Sequence, residues 1–190
     1  MVSAVLQAAP MRRTLMTAAT AVVLLTGVAS PAVAGDSPSP AVPAVSDSTG
    51  WVPAPTPPFS QEAGLTCDFA FRAEPVVDEV VTKVLRRYPD GAIRWDAYKG
   101  ALVVRVTNSG NGRSYDADVS GSAVVEHAPD GGAIWNVVGP VLLGVRAGGG
   151  NIPRGLWVID GVYRLQISAS GYRTVTMVRG RRDNVCDHLG

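Results

Sequence analysis

Two cysteines, Cys67 and Cys186, bracket nearly all of the sequence that can fold, and there is no third. They follow an N-terminus laid out like an export signal. Arg12 and Arg13 form a charged start, Thr17 to Ala29 is a run of apolar and small residues, and Ala32-Val33-Ala34 is a small-x-small cleavage site. The sequence therefore predicts a signal peptide over residues 1–34 and a secreted, extracellular product. The apolar run is shorter than the roughly 20 residues a span needs, and no positive stop signal follows it. No stable membrane span is expected after cleavage. No cysteine stands at the cleavage site to carry a lipid. In an oxidising compartment two cysteines pair, so a Cys67–Cys186 disulfide is expected. Closing a loop of about 120 residues contributes about 4.7–5 kcal/mol in the chain-entropy model. A small domain's whole net stability is of that order. A redox role would need cysteines close in sequence or a perturbed thiolate, and neither is visible.

Between the signal and the first cysteine the composition changes. Residues 35–60 hold Pro38, Pro40, Pro43, Pro53, Pro55, Pro57 and Pro58, which is half of the 14 prolines. Such a stretch buries too little apolar surface to offset its ordering entropy, so a disordered linker over 35–60 is expected. Within it Phe59 is expected to dock on the domain edge, and Trp51 to be a loosely packed aromatic.

From residue 61 to 190 the texture is that of one β domain. Turn signals recur about every ten residues: Pro89-Asp90-Gly91, Asn108 to Gly112, Pro129 to Gly132, Gly139-Pro140. Short β-branched runs lie between them. Tyr115, Ala117 and Val119 alternate with Asp116, Asp118 and Ser120, an inside/outside pattern. Cys67, Phe69 and Phe71 alternate likewise and read as a first strand. Leu156–Ile159 and Val162–Ile167 read as two strands across an Asp160-Gly161 turn, and Tyr172–Arg179 as the last. Pro75 to Tyr88 has helical spacing, but its β-branched density favours strand. About ten strands at this spacing imply an all-β fold, a single antiparallel β-sandwich of immunoglobulin-like or jelly-roll-like type.

The chain carries 17 basic and 16 acidic residues. Removing 1–34 takes two of the basic ones and none of the acidic, leaving a net charge of one negative. That gives no electrostatic case for nucleic acid or an anionic membrane.

The residues offer little chemistry. The two histidines, His127 and His188, are far apart, and no zinc spacing exists. His188 reads as an exposed tail residue. Asp116 and Asp118 share a strand face and read as solvated carboxylates rather than calcium ligands. Ser120, His127 and Asp130 make a triad only on paper, because no Gly-x-Ser-x-Gly elbow is present. Gly148-Gly149-Gly150 lacks the Lys-Ser/Thr of a phosphate loop and reads as a flexible connection. Arg179, Arg181 and Arg182 are a small basic cluster diluted by Asp183 and Asp187. No catalytic residue, metal site or cofactor is expected, and Cys67 and Cys186 are the only site residues assigned.

Several segments resemble one family. They are Cys67-Asp68-Phe69, Tyr88-Pro89-Asp90-Gly91, Val106 to Arg113, Val119-Ser120-Gly121, Gly155-Leu156 and Asn184 to Leu189. The chain is similar there to a group of small secreted actinobacterial proteins of unknown function, with one disulfide and a sandwich-like β domain. The segment from Val76 to Arg87 is longer and more charged than in that group. The resemblance implies a fold and no activity. The expectation is a secreted, non-catalytic module with a binding or structural role at or outside the cell surface, its partner a cell-wall glycan or another secreted protein. The alternatives are an extracellular hydrolase on the same scaffold, or a protease inhibitor presenting Arg146 to Arg154. A flat surface with Trp135 or Trp157 exposed would favour glycan or protein binding.

Overall fold

The computed structural model describes residues 50–190. The expected signal peptide over 1–34 and the expected linker up to residue 49 lie outside the described residues. Twelve strands and one short helix follow one another: β1 Val52–Pro53, β2 Phe59–Gln61, β3 Phe71–Asp78, β4 Val81–Arg87, β5 Ile93–Lys99, β6 Leu102–Asn108, β7 Ser114–Asp118, β8 Ser122–His127, β9 Ala133–Val138, β10 Val141–Val145, β11 Gly155–Ile167, β12 Arg173–Asn184 and α1 Val185–Leu189. All strand pairs are antiparallel. The smaller sheet has the order β2-β3-β6-β7, and the larger one runs β1-β4-β5-β8-β9-β11. The two pack together as an all-β sandwich.

Strand alternation builds the core. Register places Asp96, Val125, Trp135 and Leu165 in one cross-strand row, and Tyr98, Ala123, Val137 and Tyr163 in the next. Most of these side chains are buried, as are Phe71, Ala73, Val104, Val106 and Ala117 of the smaller sheet. Burying a large aliphatic or aromatic side chain contributes roughly 1.5–3 kcal/mol, so these rows carry the fold. The segment Pro75 to Tyr88 is extended rather than helical, as its β-branched density predicts, but it divides at Glu79-Val80 between β3 of the smaller sheet and β4 of the larger one.

The end of the larger sheet departs from the simple reading. Strand β11 runs unbroken for 13 residues through Asp160-Gly161, where a turn was expected. Its first half pairs β10 and its second half pairs β9 along the same edge, while β12 follows the other edge throughout. At the junction Gly161 faces Gly180, with φ of +144° and +143°. A Cβ on either would lie 2.1 Å from the opposite backbone carbonyl, Arg179 O or Asp160 O. Only glycine allows both the torsion and this approach. The register also slips at Val162/Tyr163, and such a bulge sharpens local twist. The strand thus bends without breaking, which a turn signal in the sequence does not distinguish from a reversal.

Two other expectations shift. Cys67 and Phe69 precede the first long strand rather than forming it, because β3 begins at Phe71. The domain also begins earlier than residue 61. β1 adds to β4, β2 adds to β3, and Phe59 meets Phe71 edge-on at 6.0 Å. Thr56 N donates to Asp78 Oδ2 at 2.6 Å, and Ala54 N to Val80 O at 2.9 Å. Within residues 50–60 the prolines therefore interrupt edge pairing without preventing it, since proline removes only its own N–H.

The chain end is anchored. Cys67 and Cys186 are disulfide-bonded, with Cα atoms 5.4 Å apart across 119 residues of sequence. Val185 and Leu189 are buried. Asn108 and Asn111 side chains donate to Leu189 O at 3.0 and 3.1 Å. Among the described residues no helix is long and apolar enough to cross a membrane.

Candidate binding cleft

The bend at Gly161/Gly180 carries the first half of β11 and the last third of β12 alongside β7. Between them lies a cleft of about 610 Å³, lined by Tyr115, Asp116 and Asp118 from β7, Pro140, Val158 and Asp160, and Arg181 and Asp183 from β12. Four of these residues are carboxylates.

Most of the charged groups already hold a partner. Arg105 grips Asp116 with two hydrogen bonds of 2.7 Å across the β6–β7 ladder. That bonding holds the Asp116 carboxyl below the usual carboxylate range. Arg181 lies 3.5 Å from Asp160. Asp183 receives Tyr115 Oη at 3.2 Å and faces His188 Nε2 at 2.9 Å. Burial, with the hydrogen bond to Asp183 second, raises the Tyr115 phenol above its ordinary value. His188 stacks on Tyr115 at 4.4 Å and 8°. It is exposed, as the sequence suggests, while its ring packs on Tyr115 and its Nε2 faces Asp183. Asp118 Oδ1 accepts from Ser120 N at 3.0 Å and shapes the turn out of β7.

The other sequence candidates fall elsewhere. Ser120 Oγ exchanges bonds with Leu102 N and O, and Asp130 Oδ1 accepts from Gly132 N. His127 Nε2 instead meets Asp96 Oδ1 at 3.0 Å. Ser120, His127 and Asp130 are not brought together. Asp96 is buried and its second oxygen accepts from Tyr98 Oη at 2.8 Å. Burial first, then Asp96, pushes the Tyr98 phenol up to about 12. Among the described residues no group of three His, Cys, Asp or Glu side chains could hold a metal ion.

The loop after β10 is tethered rather than slack. Asn151 makes a reciprocal pair of side-chain bonds with the Val175 backbone, at 2.8 and 3.0 Å, and Arg154 reaches Gly64 O and Asp68. Trp135 is core, stacked with Tyr98, and Trp157 donates its indole N–H to Pro153 O. The basic cluster is divided, since Arg182 lies over the Trp157 ring. Sequence reasoning missed Asp160, Asp183 and Tyr115 as neighbours. Alternation placed Tyr115 inward, but nothing local links positions 115, 160 and 183.

No family model matches the sequence, no curated protein matches it, and no solved structure matches the fold.

Proposed function

We propose that this chain is an exported, non-catalytic β-sandwich module that acts by binding outside the cell, and that its ligand enters the cleft beside β7. The observation that carries this reading is the paired state of the cleft's charged groups. Asp116, Asp160 and Asp183 each hold a partner, and no serine, threonine or cysteine lines the cleft. Hydrolysis by paired carboxyls wants one carboxyl raised so that it carries a proton near neutrality; Asp116 moves the other way. Export is supported by the disulfide, which persists in oxidising compartments, together with the signal-like N-terminus. The tethering of the loop after β10 to β12 and to Gly64 weighs against a protruding inhibitory loop.

One observation favours the hydrolase alternative. Buried Asp96 orients half-exposed His127, as a base and its positioning carboxylate would be oriented. Tyr88 Oη donates to the His127 backbone carbonyl at 2.8 Å, but among the described residues no hydroxyl or thiol bonds to its ring, so the binding reading stands first. The test is capture of the full secreted protein on isolated cell wall, a glycan panel and secreted proteins, run beside ester, glycoside and peptide substrates. Saturable binding without turnover is expected. Turnover abolished by His127→Ala would replace this reading with the hydrolase.

A further inference from the structure

Among the described residues strand β7 lies at the end of its sheet and pairs with β6 alone. The ladder's phase is set by two bonds, Asn108 N to Arg113 O and Val119 N to Leu102 O, each 2.9 Å. Residues 113, 115, 117 and 119 therefore turn their main-chain groups toward β6. In an antiparallel pair the alternate residues face away. The N–H and C=O groups of Ser114, Asp116 and Asp118 thus form the free edge, and that edge borders the cleft. An unpaired edge of five residues is about 17 Å long, enough to receive one short strand.

The charge around this edge selects among occupants. Asp116, Asp118, Asp160 and Asp183 line the cleft with one cation, Arg181. Arg105 occupies both oxygens of Asp116; Asp118 has no cation partner among the described residues, and the partner of Asp160 is the largely exposed Arg181 at 3.5 Å, which a cationic ligand can displace. A second copy pairing edge to edge through β7 would set Asp116 and Asp118 against their own like, which is destabilising. The chain's own segment 35–49 has no lysine or arginine, carries Asp36 and Asp47, and holds three prolines that cannot donate to a ladder. Both are disfavoured. An extended partner with cationic side chains is favoured on both counts.

We infer that the cleft beside β7 is a docking groove for an extended basic peptide, which adds as a strand to the edge at Ser114, Asp116 and Asp118 and sets Lys or Arg side chains against Asp118 and Asp160. This rests on the binding-module reading and names the class of its partner. Main-chain bonds would supply affinity, and the carboxylates would supply preference for charge. Tyr115, which lines the cleft, is stacked on His188 of α1, so the chain end flanks the groove.

The experiment uses the full secreted protein and four probes: a labelled eight-residue peptide alternating Lys and Val, the same peptide with alternate amides N-methylated, its Glu counterpart, and spermidine. Fluorescence anisotropy is expected to detect the Lys peptide alone, with binding that weakens as salt rises. Amide exchange at Asp116 and Asp118 should slow on binding, since those N–H groups become bonded. Asp160→Asn should weaken binding about three- to fivefold, and Arg181→Glu, at a largely exposed side chain, should tighten it by a similar factor. Opposite signs at two surface positions exclude loss of folding as the cause. Equal binding of the N-methylated peptide or of spermidine would overturn strand addition, leaving a diffuse charge effect. No binding of the Lys peptide, beside capture of the protein by wall or glycan, would overturn this inference and leave the binding module intact. Turnover of a substrate would overturn the module itself.

Discussion

Strands β11 and β12 form one long hairpin whose two halves behave differently. On one side of Gly161 and Gly180, Val162–Ile167 lie between β9 and Arg173–Met177 of β12, with Tyr163, Leu165 and Ile167 buried. On the other side, Gly155–Ile159 pairs β10, and Arg181–Asn184, which pair Trp157–Asp160, lead into the disulfide-bonded helix. The half of β11 beyond Gly161 is held by apolar rows. The half before it buries Leu156 and Ile159 as well, but with Arg181 and Asp183 of β12 it also presents Asp160 to a strand of the other sheet. Two residues without side chains separate the part of the hairpin that lies in the main sheet from the part that lines the cleft. Burial alternates from Tyr163 to Ile167 but lapses over Asp160 to Val162, where the glycine pair and the register slip fall.

The sharpest way to break this comparison is to remove the bend. Gly161→Val places a Cβ into the Arg179 carbonyl and forces a β-branched residue to a positive φ. It should destabilise the protein by at least about 3 kcal/mol, read by chemical denaturation. A variant as stable as the parent would show that the crossing is not obligatory. Reduction of the staple comes next. Replacing Cys67 and Cys186 with Ser should cost about 2–5 kcal/mol. Exchange protection should fail first in α1 and the last turns of β12, while Tyr163 to Ile167 stays protected. Uniform loss would mean that the two halves unfold as one.

A smaller effect probes the apolar half from the alkaline side. Tyr98 and Tyr163 are both raised, chiefly by burial. A raised folded value means the neutral phenol is favoured by folding. The resulting stability is complete below the unfolded value of about 10 and is lost as pH climbs toward the folded value of about 12 for Tyr98. Thermal midpoints should fall from pH 10 to 12, and Tyr163→Phe should make that fall shallower. An unchanged slope would refute the assignment. The smallest effect concerns Asp116, which is lowered by Arg105. Its contribution is present above the unfolded value near 3.9 and fades as pH drops through the folded one. Because the pair is exposed, Asp116→Asn should move the thermal midpoint by under about two degrees. A larger drop would show that the cleft side of β7 supports the fold as well as any ligand.

Local physics made much of this chain readable. Period-two alternation at Tyr115 to Ser120, turn residues at Pro89 to Gly91 and Asn108 to Gly112, and the paired cysteines each follow from short-range chemistry, and each appears in the fold. Phe59 was legible as a docking residue, yet the strand at Val52–Pro53 was not, because proline density argues against pairing while edge pairing needs only the residues between prolines. Asp160-Gly161 carries the same signal in a reversal and in a bent strand. What separates them is the carbonyl of Arg179 opposite, some twenty residues away, which no local window contains. The cleft has the same origin. Tyr115, Asp160 and Asp183 acquire a common purpose only when two sheets pack and a strand bends, since side-chain proximity across 68 residues is decided by tertiary contacts rather than by propensity.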